Sequence, residues 1–232
     1  MPKTALITGA TRGIGRTLAH RMADLGHNLF LLGRDAQAMA AVVAECSTRS
    51  VEVAGHCGEL TDESFASTAL EMAENQFGGI DILINNAGAG MHQAIQDADL
   101  AAWRALMAVN FDAVVYLTSK VLPGMISRGS GAVINISSIS GRNSSAGSGI
   151  YSASKAALNG LGGSIFEDVR EHGIKVSTIM PGFVETDLTR GHGMDPGKMI
   201  RTEDVADSVE YVLSASANCC PTEIVLRPQR SP

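Results

Sequence analysis

No run of basic residues occurs anywhere in this sequence, and the formal charge is −6. Nucleic acid is therefore not an expected partner, because binding a phosphate backbone needs clustered Lys and Arg. The four cysteines, Cys46, Cys57, Cys219 and Cys220, have neither metal-ligand spacing nor the density of a disulfide framework. Reduced thiols and no metal site are the expectation. The first residues, MPKTALITGA, enter a strand-like run at once and lack the long apolar core of a secretory signal. No stretch approaches the length of a membrane span, so a cytoplasmic protein with no membrane partner is expected. Internal repeats and low-complexity linkers are missing as well. Residues 1–232 read as one domain, 45% hydrophobic and 18% charged, and long enough to bury a sizeable core.

What is present is an alternation of short apolar runs with longer amphipathic ones. Candidate strands are residues 3–8, 28–32, 51–56, 81–85, 132–137, 175–180 and 223–226. Helical patterns lie between them, including GIGRTLAHRMADLG, TDESFASTALEMAENQFGG and the long stretch from Asp99 to Gly129. Strands alternating with helices imply βαβ units and an α/β fold whose parallel sheet is covered on both faces. Such strands should be continuously apolar, as DILI and AVINI are. Pro181-Gly182 opens the one extended region without clear periodicity, about residues 182–200. It is read as either a substrate loop or a surface connection.

TALITGATRGIGRTLAHRMADLG reads as strand, glycine turn and helix. Gly9, Gly13 and Gly15 allow a tight turn and close approach of a ligand, and a helix N-terminus offers unpaired N–H groups to a pyrophosphate. The spacing is Gly-x-x-x-Gly-x-Gly rather than Gly-x-Gly-x-x-Gly. Its place at the first strand–helix junction favours dinucleotide binding over a turn without ligand. The second strand ends in Gly33-Arg34 where an acidic residue would bind a bare ribose, and the turn itself carries Arg12. Either arginine alone could be solvated. Two guanidinium forks near one ribose favour a 2′-phosphate, hence NADP(H). Asp35 is expected to begin the following helix.

The segment GSGIYSASKAALNG holds Tyr151 and Lys155 one helical turn apart. A phenol has an ordinary pKa near 10, too high for efficient acid–base work at neutral pH. A lysine on the same helix face can lower it by stabilising the phenolate. By itself the spacing more often reports a packed tyrosine beside a snorkelling lysine. Ser138 stands at the end of the fifth strand, whereas Ser137 should face the other way. Ser140, Ser144, Ser145 and Ser148 fit ordinary turn chemistry. Asn110 sits inside an otherwise apolar helical run, a poor place for asparagine on propensity grounds. That is open to a helix bend or a satisfied buried amide.

With TGATRGIG, NNAG at 85–88, Asn110, the serines at 137–138, YSASK at 151–155 and PGFVET at 181–186, the chain resembles the short-chain dehydrogenase/reductases. The likeness runs from Lys3 to about residue 215. It implies a doubly wound Rossmann fold, with a seven-stranded, mostly parallel sheet flanked by helices on both faces and the cofactor across the strand ends. It implies that Gly9, Arg12, Gly13, Ile14 and Gly15 line the cofactor phosphates and ribose, and that Asn86 lies near the adenosine. Pro181, Gly182, Val184 and Thr186 would hold the nicotinamide. Where many members have Asp and an aliphatic residue after the third strand this chain has Glu59-Leu60, so the adenine contact rests on the backbone of Leu60.

The same resemblance implies an NADP(H)-dependent oxidoreductase moving hydride between the nicotinamide and a carbonyl or secondary alcohol. Tyr151 would be the general acid/base and Ser138 would hold the substrate oxygen. Lys155 would tune the tyrosine and position the nicotinamide ribose, and Asn110 would support a water chain from the lysine to solvent. The helices around 99–128 and 151–171 resemble the family's dimer-forming pair, so a homodimer or homotetramer is expected. A non-catalytic NADP(H)-binding regulatory protein is the alternative, and an epimerase or dehydratase a second. Met91, Met194, Met199 and Phe183 are candidates for an apolar substrate pocket or for packing. His92 and His192 are read as surface or substrate-rim residues.

Overall fold

The computed structural model describes residues 2–189 and 193–232. Among these residues seven strands form one sheet: β1 (Thr4–Thr8), β2 (Asn28–Gly33), β3 (Val53–Cys57), β4 (Ile82–Asn85), β5 (Gly131–Ile136), β6 (Ile174–Pro181) and β7 (Glu223–Leu226). Their spatial order is β3-β2-β1-β4-β5-β6-β7, and every neighbouring pair is parallel. The order reverses between β1 and β4, which opens a crevice at their carboxyl ends.

Among the described residues seven α-helices cover the sheet: α1 (Gly13–Asp24), α2 (Ala36–Cys46), α3 (Glu63–Phe77), α4 (Leu100–Met107), α5 (Ala113–Arg128), α6 (Gly149–Val169) and α7 (Thr202–Ser214). The two-residue period of the strands sorts their side chains between two apolar layers. Ala5, Ile7, Leu29, Leu31, Ile82 and Ile84 pack with Leu18, Met22 and Met39 of α1 and α2 and with Val205 and Val209 of α7. Leu6, Phe30, Leu32, Leu83, Val133 and Val176 pack on the other face with Ala66, Leu70, Leu117, Val121 and Ile165. Burial on both sides is why the central strands carry no polar–apolar alternation.

Helix starts follow from local chemistry. Asp35, Asp62 and Asp99 accept N–H bonds from the first turns of α2, α3 and α4. Asp35 thus begins a helix, as expected. Gly78 and Gly129, at φ 77° and 62°, close α3 and α5 in the left-handed region.

Four expectations need correction. β3 starts at Val53 rather than residue 51, and β5 ends at Ile136, one residue early, so Ser137 lies beyond the strand. The region after Pro181 is not wholly irregular: Val184 pairs with Ile200 in an isolated parallel bridge, and both are buried. Residues 190–192, including His192, lie outside the described residues. Finally, Leu100–Arg128 runs as 29 continuous helical residues, long and apolar enough to cross a membrane by length and composition. In this fold its inner face, Leu117, Val121 and Met125, packs under the sheet.

Candidate active site

The glycine turn joins β1 to α1 beside the switch point. Gly9 and Gly13 take φ 66° and 50°, conformations that side-chain-bearing residues rarely adopt. Gly15 is required for a different reason: a Cβ there would lie 2.1 Å from the Gly9 carbonyl oxygen and 2.5 Å from Asn86 Nδ2. The first residue of α1 follows Arg12, whose guanidinium can only donate, so the helix start has no side-chain acceptor. Its leading N–H groups thus face the cleft uncapped, an arrangement that fits an anionic ligand.

Asn86 shapes this turn. Its Nδ2 donates to the carbonyls of Thr8 (2.9 Å) and Gly9 (3.2 Å), while Thr8 Oγ1 accepts from the N–H groups of Asn86 and Ala87. Asn85, by contrast, points into the sheet end, donating to Thr118 Oγ1 and Asn135 Oδ1.

A cleft of about 820 Å³ opens above the turn, and Gly9, Arg12, Gly13, Ile14, Gly15, Arg34, Leu60, Asn86 and Thr186 all line it. Thr186 lies over Gly13, its Cγ2 3.3 Å from where a Cβ would stand. Both arginine side chains are 70% exposed, and each already leans on a carboxylate. Arg12 Nη1 is 3.5 Å from Asp187 Oδ2, and Arg34 Nη1 is 3.5 Å from Glu59 Oε1. Neither acid is marked by the sequence pattern: Glu59 stands out only as a departure at the adenine contact, and nothing in the spacing ties Asp187 to Arg12.

Pro181, Gly182 and Val184 do not line this cleft. Pro181 ends β6 in the interior and Val184 is buried in its bridge to Ile200. The Gly182 N–H donates to the Leu226 carbonyl at 2.8 Å, which ties the segment to the edge strand β7. The interior therefore fixes the backbone that carries Thr186 to the cleft.

The four polar residues singled out for acid–base chemistry gather on the other side of the crevice. Asn110 is fully buried within a single π-helical turn, Ala108–Asp112, that joins α4 to α5. Such wide turns recur at functional sites. Its Oδ1 accepts from the Ala89 N–H (2.8 Å), and its Nδ2 donates to the Ala89 carbonyl (3.0 Å) and to Ser154 Oγ (3.0 Å). Ser154 Oγ in turn donates to the Tyr151 carbonyl at 2.7 Å. Asn110 thus clamps the chain after β4 onto the helix turn that carries Tyr151. Ser154 is a further member of this set; the signal for it was its place between Tyr151 and Lys155.

Lys155 is 5% exposed, and its Nζ donates to the Ile136 carbonyl at 3.1 Å. Burial alone pushes its pKa down to about 8. Gly88 keeps the space between Lys155 and Asn110 open: a Cβ there would lie 3.2 Å from Asn110 Oδ1 and 3.5 Å from Lys155 Nζ. Ser138 is buried just past β5, its Oγ accepting from the Ser140 N–H at 3.1 Å. Ser137 bonds away from it, donating to Asn159 Oδ1 at 2.6 Å.

Tyr151 departs from expectation. Its phenol is pushed above its ordinary pKa by burial, opposed by a hydrogen bond with Ser138. The lysine ammonium lies 6.0 Å from the ring centroid and donates to a backbone carbonyl. In this structure the ammonium is turned to that carbonyl, and burial outweighs only the hydrogen bond with Ser138.

Around the mouth, Leu188 packs on Gly90, and Met91 and Leu188 both line the cleft. The His92 ring lies against Gly147, just ahead of α6. Phe183 is exposed, whereas Met194 and Met199 are half-buried, and Met199 lines a separate hollow near the C-terminal tail.

Comparison with known proteins places these features in a family. Residues 3–196 match the model of the short chain dehydrogenases. An uncharacterized oxidoreductase of Staphylococcus saprophyticus is 33% identical over 227 residues, 97% of each chain, and one of Staphylococcus aureus is 33% identical over 226. Among solved structures, a metagenomic short-chain oxidoreductase in complex with NADP superposes with TM-score 0.85 at 31% identity, over 99% of this chain and 98% of that one. A variant actinorhodin polyketide ketoreductase with NADPH gives TM-score 0.92 at 25% identity, over 98% and 96%.

Proposed function

The chain belongs to the short chain dehydrogenase family of oxidoreductases, and we propose that within it this protein is an NADP(H)-dependent carbonyl reductase. The observation that carries the reading is the grouping of Ser138, Tyr151, Lys155 and Asn110 behind Gly88 and Ala89, which themselves line the glycine-turn cleft that two arginines flank. The cleft fits the cofactor: α1 begins uncapped, Gly15 leaves no room for a side chain, and Arg12 and Arg34 offer guanidinium forks to a 2′-phosphate. The NADP and NADPH complexes of two structural neighbours support the same choice.

When bound, the nicotinamide supplies the hydride that adds to the carbonyl carbon. This chain's residues handle the oxygen and the proton. Ser138 Oγ, already bonded with the phenol, holds the substrate oxygen in the same orbit. Tyr151 gives its proton to that oxygen, so that the carbonyl gains one hydride and one proton and leaves as an alcohol. The phenol, raised by burial, keeps its proton at neutral pH, so its transfer to the substrate oxygen draws on the positive charge of Lys155 nearby. Lys155, with a pKa near 8, can return a proton within the working range, and water passing Asn110 and Ala89 connects it to solvent. Asn110, bonded to Ala89 and Ser154, holds these parts in register. Gly9, Gly13, Ile14, Gly15, Leu60 and Asn86 form the cofactor bed. Thr186 closes over it from the backbone fixed by Pro181, Gly182 and Val184. A cytoplasmic homodimer or homotetramer completes the proposal; Val115 and Ile126 on α5 are exposed apolar residues that an interface would cover.

The test is loss of reduced-nicotinamide absorbance, with NADPH and NADH in parallel, against aldehydes, ketones and quinones. NADPH should be consumed with at least one class and faster than NADH. NADPH binding without consumption across the panel would favour the non-catalytic alternative, and equal rates would remove the coenzyme assignment.

A further inference from the structure

The ribose end of the cleft carries more than the two arginines. Glu59 lines it, and its carboxylate meets Arg34 at 3.5 Å across two side chains that are 62% and 70% exposed. The two residues stand on neighbouring strand ends: Arg34 follows β2, Glu59 follows β3, and the register pairs Gly33 with Cys57. The Gly58 N–H donates to the Gly33 carbonyl at 2.9 Å, so the backbone holds the two positions side by side. The other acid here, Asp35, has its side chain committed to the α2 start, accepting from the Ala38 N–H at 3.0 Å. The Glu59 carboxylate is left to meet Arg34, one of the two arginines that would read a 2′-phosphate.

We propose that Glu59 is a coenzyme-selecting residue that competes with the 2′-phosphate for Arg34 and so restrains the preference for NADP(H). The inference rests on the proposed NADP(H) reading. A phosphate monoester carries ≈ −1.5 to −2 charges and three strong acceptor oxygens, and an exposed ion pair is weak, so the phosphate displaces Glu59 from the guanidinium. It does so against a carboxylate that stays nearby. NADH brings no phosphate and leaves the Arg34–Glu59 pair in place. A longer acid at this position therefore narrows the gap between the two coenzymes without contacting the reacting atoms.

The experiment is titration calorimetry of NADPH and NADH, without substrate, on wild type, Glu59→Gln, Arg34→Gln and the double variant. Glu59→Ala is run beside them, and each fold is checked by circular dichroism. Glu59→Gln and Glu59→Ala should tighten NADPH roughly threefold to fivefold, the size of an exposed ion pair, and change NADH less than twofold. In the Arg34→Gln background the gain should disappear. An unchanged NADPH/NADH ratio in Glu59→Gln would overturn the inference while leaving a wild-type NADPH preference intact. The same gain in the absence of Arg34 would also overturn it, showing general repulsion rather than competition. A wild type that binds neither coenzyme, or prefers NADH, would defeat the underlying NADP(H) reading instead.

Discussion

At one end of the cleft the side chains with chemistry are buried: Asn110 and Lys155 are 0% and 5% exposed, and each of their polar groups has a named partner. At the other end Arg12 and Arg34 stand in water, each 70% exposed and weakly paired with an acid. The contrast follows from what each end has to do. Proton transfer needs groups held in one geometry with shifted pKa values, and burial supplies both. Coenzyme choice needs only a difference in affinity, and exposed charges can supply that in small, screened amounts. What is exacting at the exposed end is the backbone, where the positive φ of Gly9 and Gly13 and the close contacts at Gly15 leave no place for a side chain. Substitutions should therefore act through chemistry at the buried end, and through packing or small shifts of affinity at the other.

The largest expected effect is at the buried end. Tyr151→Phe removes the proton donor and should lower turnover by roughly 100-fold or more, with folding unchanged, since the phenol oxygen supports no other described contact than Ser138. Next comes the backbone of the exposed end. Gly15→Ala places a methyl group 2.1 Å from a carbonyl that cannot move without opening the turn. It should destabilise the fold by about 1–3 kcal/mol and lower Tm by several degrees in a thermal melt, roughly 2–4 °C per kcal/mol for a domain of this size. An alanine protein that melted like wild type would show that this backbone is less constrained than the comparison requires.

The smallest effect is a dependence on pH. Lys155 has its folded pKa lowered to about 8 from 10.5 by burial. Between those values the unfolded chain binds the extra proton, so the lysine's contribution to stability rises with pH, at most by about 1.4 kcal/mol per unit. The thiols of Cys46, Cys57 and Cys220, raised by burial, act in the opposite sense above about pH 9. The signal is therefore the difference between wild type and Lys155→Met in denaturant melts. The stability advantage of the methionine protein should shrink from pH 8 to pH 10; a constant advantage would place the ammonium in water.

Much of this arrangement was legible in the sequence, for identifiable reasons. Parallel strands buried on both faces leave continuous apolar runs, and the glycine turn has to follow the first of them, so fold and cleft could be located from pattern. Asn110 stood out because asparagine is ill-suited to an apolar helix, and Ser138 followed from the end of a strand. Contacts between distant exposed side chains leave no such pattern: neither Arg34 with Glu59 nor Arg12 with Asp187 could be read from spacing. The π-turn at Ala108–Asp112 was hidden because one added residue in a helical turn barely disturbs hydrophobic periodicity. The direction of the Tyr151 shift was hidden too, because it depends on how deeply the phenol is buried relative to its distance from the ammonium.

The division between a reacting end and a selecting end is tested most directly by measuring the NADPH Kd and the carbonyl-reduction rate of Tyr151→Phe side by side. The account predicts a Kd within about twofold of wild type and a rate lower by roughly 100-fold or more. Near-normal turnover of a carbonyl that the wild type reduces would contradict it.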